Sequence, residues 1–502
     1  MISDAVGLEL ISKIVGYKIT KGDFSNVTPN LPQRVAIIGE ANTGNQAGLI
    51  TDGVEITTAQ QAGEMYGFGS PIYHVMRILR PNSGSGIGGI PTIVYAQETA
   101  AGSTAKILEV TPTGVATGNG THTVIISGRK VLDGVSYDFT VNEGDTTDDI
   151  TAKISDAVNN VLGSPVIATE TGYETILTSK WTGLTANDIN VTIDTNDDDL
   201  GITYAVVQTS AGAGVPSVQG ALDQFENDWV TLVVNTYGAV PTIMASLEAF
   251  NGIPNPNNPT GRYSGIIMKP FIALTGSTLE DPSVITDSRK NDVTIAICPA
   301  PLSNGFQFEA AANACILEAR TAQDTPHIDI VGQQYPDMPA PKTIGAMAKY
   351  VNRDAFVKKG CSTVELIDGV YQMADFVTTY HPTGEVPPQF RYVRNLILDF
   401  NVRFGYYLLE QINVVDHVIA TNEQQVSATK VIKPKQWKQI VDNYAKDLGR
   451  RALIVDVAFM QDSIIVGLST TNPDRLETFF RYKRSGIARI ASTTAEAGFN
   501  FG

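Results

Sequence analysis

Two glycine-rich stretches have spacings that cradle phosphates elsewhere. Gly84-Ser85-Gly86-Ile87-Gly88-Gly89 fits G-x-G-x-x-G, but it follows a helical pattern and precedes the strand-like run Thr92–Ala96. That reverses the strand-loop-helix order that sets a dinucleotide on a helix N-terminus. Gly39-Glu40-Ala41-Asn42-Thr43-Gly44 does follow a strand, yet Asn45 and Gln46 stand where a phosphate loop needs its Lys and Ser/Thr, so the central charge is lost. Asp194, Asn196, Asp197, Asp198 and Asp199 crowd oxygen ligands suited to Ca²⁺. Against that, Asp199 takes the place of the glycine an EF-hand requires and Ala205 that of its bidentate glutamate, which favours an acidic turn. His74, His122, His327, His381 and His417 are too scattered for a zinc or triad pattern, and Cys298, Cys315 and Cys361 lack metal-type spacing and read as reduced, packed thiols. No acid, base, nucleophile, metal ligand or cofactor site can be nominated.

The elements that would have to position such groups read as an α/β layer. Buried-strand signals at Val35–Gly39, Thr92–Ala96, Val230–Asn235 and Val293–Cys298 alternate with helical patterns at Ser70–Arg80, Val240–Phe250 and Gln307–Ala322. Within this layer, residues 101–212 follow a different grammar. Strands are expected at Thr123–Ile126, Tyr137–Val141, Val166–Thr169, Thr175–Thr178 and Ile189–Ile193, around a helix in Asp145–Leu162, and Gly-rich boundaries flank them. Such a unit is expected to close its own core. A long apolar stripe from Arg391 to Glu423 predicts one helix anchoring a C-terminal domain, with Ile464–Leu468 as its last interior strand.

Both ends carry extended segments without an evident mate. At the front Val15, Tyr17 and Ile19 share one face before Pro29 and Pro32; at the back Ile487, Arg489 and Ile490 trail past the last strand. An unpaired strand is an aggregation hazard unless a specific sheet edge receives it, and donation to a neighbouring subunit is an established mode. Pairing within the same chain is the alternative.

Charge narrows the partners. The chain of 502 residues has a net charge of −16. Residues 101–210 hold 15 acidic and 5 basic side chains, a balance of −10, whereas 380–502 hold 15 basic and 12 acidic ones, a balance of +3. This split disfavours generic nucleic-acid binding and suits one face toward solvent with another toward an acidic partner. Lys433, Lys435, Lys438, Lys446, Arg450 and Arg451 lie on or beside a helix opening at Pro434, either as a solvated face or as a docking surface. The first residues lack the basic and apolar pattern of a signal peptide, and no segment has the ~20 uninterrupted apolar residues of a membrane span, so no membrane insertion is expected.

Leu31-Pro32-Gln33-Arg34-Val35-Ala36-Ile37-Ile38-Gly39, then Tyr66-Gly67-Phe68-Gly69-Ser70 opening a helix, resembles the Mu-like branch of contractile phage tail sheath proteins. Ile126-Ser127-Gly128-Arg129, Gly144-Asp145-Thr146-Thr147-Asp148, Ser164-Pro165-Val166 and Thr182-Gly183-Leu184-Thr185-Ala186-Asn187-Asp188-Ile189 look like the variable domain of that branch. The resemblance implies a sheath subunit that stacks with itself, as hexameric rings arranged helically, around a tail tube. It also implies baseplate and tail-terminator partners, assembly in the host cytoplasm, no cofactor and no enzymatic activity. The expected architecture is an α/β core with an inserted β-rich (α+β) outer domain, an α+β C-terminal assembly domain, and strand-exchange arms at both termini. Its divisions fall at 1–30 for the arm and linker, 31–100 with 213–365 for the core, 101–212 for the outer insertion, 366–484 for the tube-facing domain and 485–502 for the second arm. The resemblance makes Val15, Tyr17, Ile19, Ile487, Arg489 and Ile490 the exchange residues and the basic helix the tube-facing surface. An α/β hydrolase-like enzyme with an inserted lid, and the sheath of a non-phage injection particle, are the competing readings.

Overall fold

In a computed structural model, residues 28–226, 228–255, 257–265, 268–385 and 388–499 are described. They form a mixed α/β protein with several separate sheets. Two compact units divide it: Asn30–Phe404 with the segment from Arg484 onward, and Gly405–Lys483 with Thr28 and Pro29.

In the larger unit a six-stranded sheet has the order Ile295–Pro299, Ile272–Ser277, Leu232–Asn235, Val35–Glu40, Thr92–Gln97, Val54–Glu55. The first five strands run parallel and the two-residue edge strand runs antiparallel. Each parallel strand is buried along its whole length, as expected where helices cover both faces. Alternate residues feed two cores. Val35, Ile37, Val94, Val234 and Leu274 pack toward helices Pro71–Leu79 and Gln307–Asp324, while Ala36, Ile38, Ile93, Val233 and Ala273 pack toward helix Pro241–Asn251 and the Leu222–Phe225 turn. Helix Pro71–Leu79 starts where it does because Ser70 accepts the Tyr73 N–H at 3.1 Å and Pro71 needs no donor in the first turn.

Residues 104–210 build two larger antiparallel sheets beside a two-stranded hairpin, Val131–Leu132 with Val135–Ser136. One has the order Thr203–Ser210, Ala105–Thr113, Glu174–Thr182, Val166–Thr171; the other Val191–Asp194, Gly120–Ile126, Asp138–Val141. Ala105–Thr113 and Thr203–Ser210 are strands that the sequence reading passed over. The helix is Thr147–Asn159, opened by a capping box in which Thr146 and Asp149 each bond the other's backbone N–H. Thr146→Ala should lower stability by about 1 kcal/mol in urea unfolding; an unchanged midpoint would show that helix packing alone fixes this end.

The expectation that this segment closes its own core is corrected. Val124, Ile154, Leu177 and Trp181 belong to the same continuous cluster as Val35 and Phe308. Trp181 stacks edge-on to Phe306 with ring centroids 5.9 Å apart. A buried ionic cluster adds to the joint: Arg129 lies 3.0 Å from Glu309 and 2.7 Å from Asp337, and Arg77 lies 3.6 Å and 2.6 Å from the same two carboxylates. The hairpin Thr363–Ile367/Val370–Asp375 also belongs to the larger unit, where the Tyr371 hydroxyl donates to the Pro301 carbonyl at 2.7 Å.

The smaller unit packs Ile432, Trp437, Val441 and Ile464 against Tyr406, Leu409, Leu476 and Phe480, with helix Pro434–Arg450 at its centre. The long helix predicted over 391–423 is shorter, Val393–Asn413. Val414 and Val415 both direct their N–H groups to the Glu410 carbonyl and Asp416 turns left-handed at φ 59°, so Val415 ends outside the helix. Ile464–Leu468 is not an interior strand either: Ile465–Leu468 is half of an exposed hairpin with Leu476–Phe479, and Ile465 is 65% exposed.

Candidate functional site

In an open parallel sheet, ligands enter where the strand order reverses, outside the carboxyl ends of the strands. Here that point lies between Val35–Glu40, which the chain leaves toward Thr92–Gln97, and Leu232–Asn235 on its other side. The position is closed by the protein's own residues. Thr236 Oγ1 donates to the Ile38 carbonyl at 2.9 Å, and a Cβ on Gly39 would sit 2.8 Å from that oxygen. Glu40 ends the strand buried, within 3.5 Å of the Thr185 hydroxyl, which accepts from Trp181 Nε1 at 2.9 Å. Burial, partly offset by Thr185, pushes the Glu40 carboxyl up to about 8. The crevice is thus plugged by the segment 181–188.

The other chemical candidates disperse. The Gly84–Gly89 stretch is a surface loop between a helix and a strand. Thr43–Asn45 forms a single 3-10 turn, and Asn42 Nδ2 is committed to the Phe68 carbonyl. Asp194 is held by Lys130 at 2.5 Å and by the Asn196 N–H at 2.9 Å. Among the described residues no group of three or more His, Cys, Asp or Glu is arranged to hold a metal ion. His74 and His122 are buried in separate places, His381 faces the Thr379 carbonyl, and His417 faces that of Val415. The three cysteines are free and buried, with burial pushing all three thiols up, Cys361 to about 12.

The assembly candidates fall on elements of different kinds. Val15, Tyr17 and Ile19 lie outside the described residues. The linker after them is fixed: Leu31 N–H donates to Asn401 Oδ1 at 2.9 Å and Gln33 N–H to Gln323 Oε1 at 2.8 Å. At the other end, Arg484 grips Asp399 with two bonds of 2.8 and 2.6 Å, Arg394 bonds Ser485, and Arg489 pairs with Asp329 and covers the Tyr392 ring at 3.9 Å. Arg489 therefore faces inward onto its own unit, while Ile490 is 90% exposed and the stretch 486–491 joins no ladder among the described residues. Arg394, Asp399, Asp329 and Arg484 escaped sequence reasoning. Their separation in sequence, 329 to 484, left no local signal that brings them together.

The basic helix divides. Lys433 reaches the Gln424 carbonyl, Lys438 donates to the Ile464 carbonyl at 3.0 Å, and Arg451 bonds Thr28 at 2.9 Å and lies 3.5 Å from Asp447. Lys435, Lys446 and Arg450 are exposed, and their spacing places them on one face of the helix, with Asp442 among them.

The sheet crevice is filled by the protein's own residues, and the described C-terminal segment from Arg484 is held by ion pairs to its own unit. No family model matches the chain. Over 189 residues it is 22% identical to the Mu-like prophage FluMu tail sheath protein of Haemophilus influenzae, a match spanning 37% of this chain and 37% of that protein. Three solved structures align along most of its length. They are a sheath tail protein of Desulfitobacterium hafniense (12% identity, 93% of this chain and 100% of that one, TM-score 0.44), a chain of the anti-feeding prophage baseplate (10%, 97% and 100%, 0.48) and a chain of the anti-feeding prophage helical sheath in its contracted state (10%, 98% and 100%, 0.44). The chain is similar in sequence, over part of its length, to a tail sheath protein of the Mu-like type.

Proposed function

We propose that this chain is the structural subunit of a contractile tail sheath. It polymerises as stacked rings around a tail tube and shortens to drive the tube through a host envelope, without enzymatic activity. The sequence match to a Mu-like prophage sheath protein carries the reading. The filled switch-point crevice and the charged, ladder-free C-terminal segment support it. In this reading Val15, Tyr17, Ile19 and Ile490 are donated to neighbouring copies, and Arg489, two residues past Ile487, secures the root of the second arm on its own unit. A strand donated in this way keeps its main-chain bonds while its linker absorbs subunit rotation. Tail-tube, baseplate and terminator proteins are the expected partners, with assembly in the host cytoplasm and hexameric rings as the repeat.

Negative-stain microscopy of the full-length protein beside a form lacking residues 1–28 is the test. Striated hollow tubes from the full-length chain alone are the expected result; tubes from both would remove the N-terminal arm from assembly, and uniform particles from both, even with tube protein added, would remove the sheath reading. The tube-facing role falls to Lys435, Lys446 and Arg450, since Lys433, Lys438 and Arg451 are engaged within their own unit. Reversing Lys435 and Lys446 to Glu should weaken sedimentation with tube polymer roughly tenfold at low salt and less at high salt. Equal binding at low salt would take this helix out of the contact.

A further inference from the structure

Thr28, the first described residue, sits in a built notch on the smaller unit. Its Oγ1 donates to Asp447 Oδ2 at 2.8 Å, its N–H reaches the same oxygen at 3.3 Å, and Arg451 Nη1 donates to that Oγ1 at 2.9 Å. Asp447 is 5% exposed, and its other oxygen, Oδ1, has no partner among the described residues. A carboxylate buried this deeply is costly to keep, and what it holds is the start of the chain. The far wall of the notch is Gly405. A Cβ there would lie 3.2 Å from Thr28 Oγ1 and 2.6 Å from the Tyr444 hydroxyl. Glycine is a poor residue inside a helix such as Val393–Asn413, and here it makes the room that Thr28 and Tyr444 take.

The notch shares an element with the basic face. Asp447 directly follows Lys446, and Arg451 directly follows Arg450, so the residues that hold Thr28 are next neighbours of two exposed cations of helix Pro434–Arg450. Trp437, Val441, Tyr444 and Leu448 bury the rest of that helix in its own unit. The second arm is rooted elsewhere: Arg484 on Asp399 and Arg489 on Asp329 both lie in the larger unit.

We propose that Thr28 is the fixed root of the N-terminal arm and a positioning residue for assembly, so that a neighbour holding the arm and a tube holding Lys435, Lys446 and Arg450 act on one stiff helix. This rests on the sheath reading. A root already seated before the neighbour arrives leaves less chain to order on docking, which strengthens the contact without adding to it. Because both partners pull on the same helix, binding of either favours binding of the other, and the coupling is reciprocal.

The test is sedimentation of the full-length protein with and without tube polymer, which gives the critical concentration for assembly. Thr28→Val removes the hydroxyl and should raise that concentration at least roughly tenfold, the weight of one charge-assisted hydrogen bond. Thr28→Ser should return it to near the parent's, with all three melting curves close together. Tube polymer should lower the critical concentration of the parent more than that of Thr28→Val. Thr28→Cys with Gly405→Cys sets a thiol beside the new Cβ, and oxidation then locks the root in its notch; oxidised and reduced forms should assemble alike. Should that pair fail to fold, the Val and Ser variants decide. Assembly lost on oxidation alone, Thr28→Val assembling at the parent's concentration, or an equal effect of tube polymer on both would overturn the proposal and leave the sheath reading standing. A parent that forms no polymer even with tube protein would remove that reading, and the proposal with it.

Discussion

Glu309→Ala should cost the folded protein roughly 3–5 kcal/mol, the range for breaking a buried ion pair from one side. The Glu309 side chain is fully buried, accepts from Arg129 Nη2 at 3.0 Å and from the Phe306 N–H at 3.2 Å, and lies 3.6 Å from Arg77. Removing it leaves two largely buried guanidinium groups to share Asp337, whose carboxyl the two arginines already hold below its usual range. The loss exceeds that of a single hydrogen bond because an unpaired buried charge must be desolvated without compensation. Urea unfolding followed by Trp fluorescence measures it, and a loss under about 1 kcal/mol would mean that water reaches the cluster and substitutes for the carboxylate.

Stability should fall as pH rises from about 6.5 to about 8, by roughly 2–4 kcal/mol. Burial pushes Glu40 and Glu318 each up to about 8. Between the ordinary carboxylate range and about 8 the native state therefore holds protons that the unfolded chain has released, and each pH step upward favours unfolding. Asp188, raised to about 6 by burial, has the same sign at lower pH. The window avoids groups of opposite sign: His74, kept neutral by burial and by nearby Arg77, Arg129 and Lys180, and His122, lowered by burial, make stability rise with pH below about 6.5, and Lys180, lowered by burial to about 8, does so above about 8. Glu40→Gln with Glu318→Gln should remove most of the fall in chemical unfolding at the two pH values, leaving the smaller part that Glu248, raised by burial to about 7, contributes. A parent protein more stable at pH 8 than at 6.5 would contradict the assignment.

What the sequence disclosed follows from which signals are local. Four of the five parallel strands read correctly because continuous apolar runs such as Val35–Ile38 have no other use in a chain of this polarity, and the Ser70–Pro71 start is written in adjacent residues; Ile272–Ser277, the fifth, escaped. Ala105–Thr113 and Thr203–Ser210 escaped because their partners decide them: the first alternates Lys106, Leu108 and Val110 with half-exposed residues, and the second is largely exposed. The helix end at Asn413 also resisted reading, since an apolar stripe continues to Val415 while a left-handed Asp416 stops it. At the candidate site, the charges of the basic helix were legible but their division was not. Lys438 and Lys435 look alike in sequence, and only the carbonyl of Ile464 separates them.

The central sheet also sets a timetable for synthesis. Val35–Glu40 lies between Thr92–Gln97 and Leu232–Asn235, with Thr231 N–H bonded back to the Arg34 carbonyl. On a ribosome adding about 5–20 residues per second, the nascent chain holds an open parallel edge along Val35–Glu40 for on the order of ten seconds or more before its mate emerges. During that interval the hairpins and helix of residues 104–210 have only local partners to find, and they can fold while the older strands wait. The half-built sheet is the species a chaperone would meet, and slowing translation after residue 210 would lengthen the exposure of its edge without altering a single native contact.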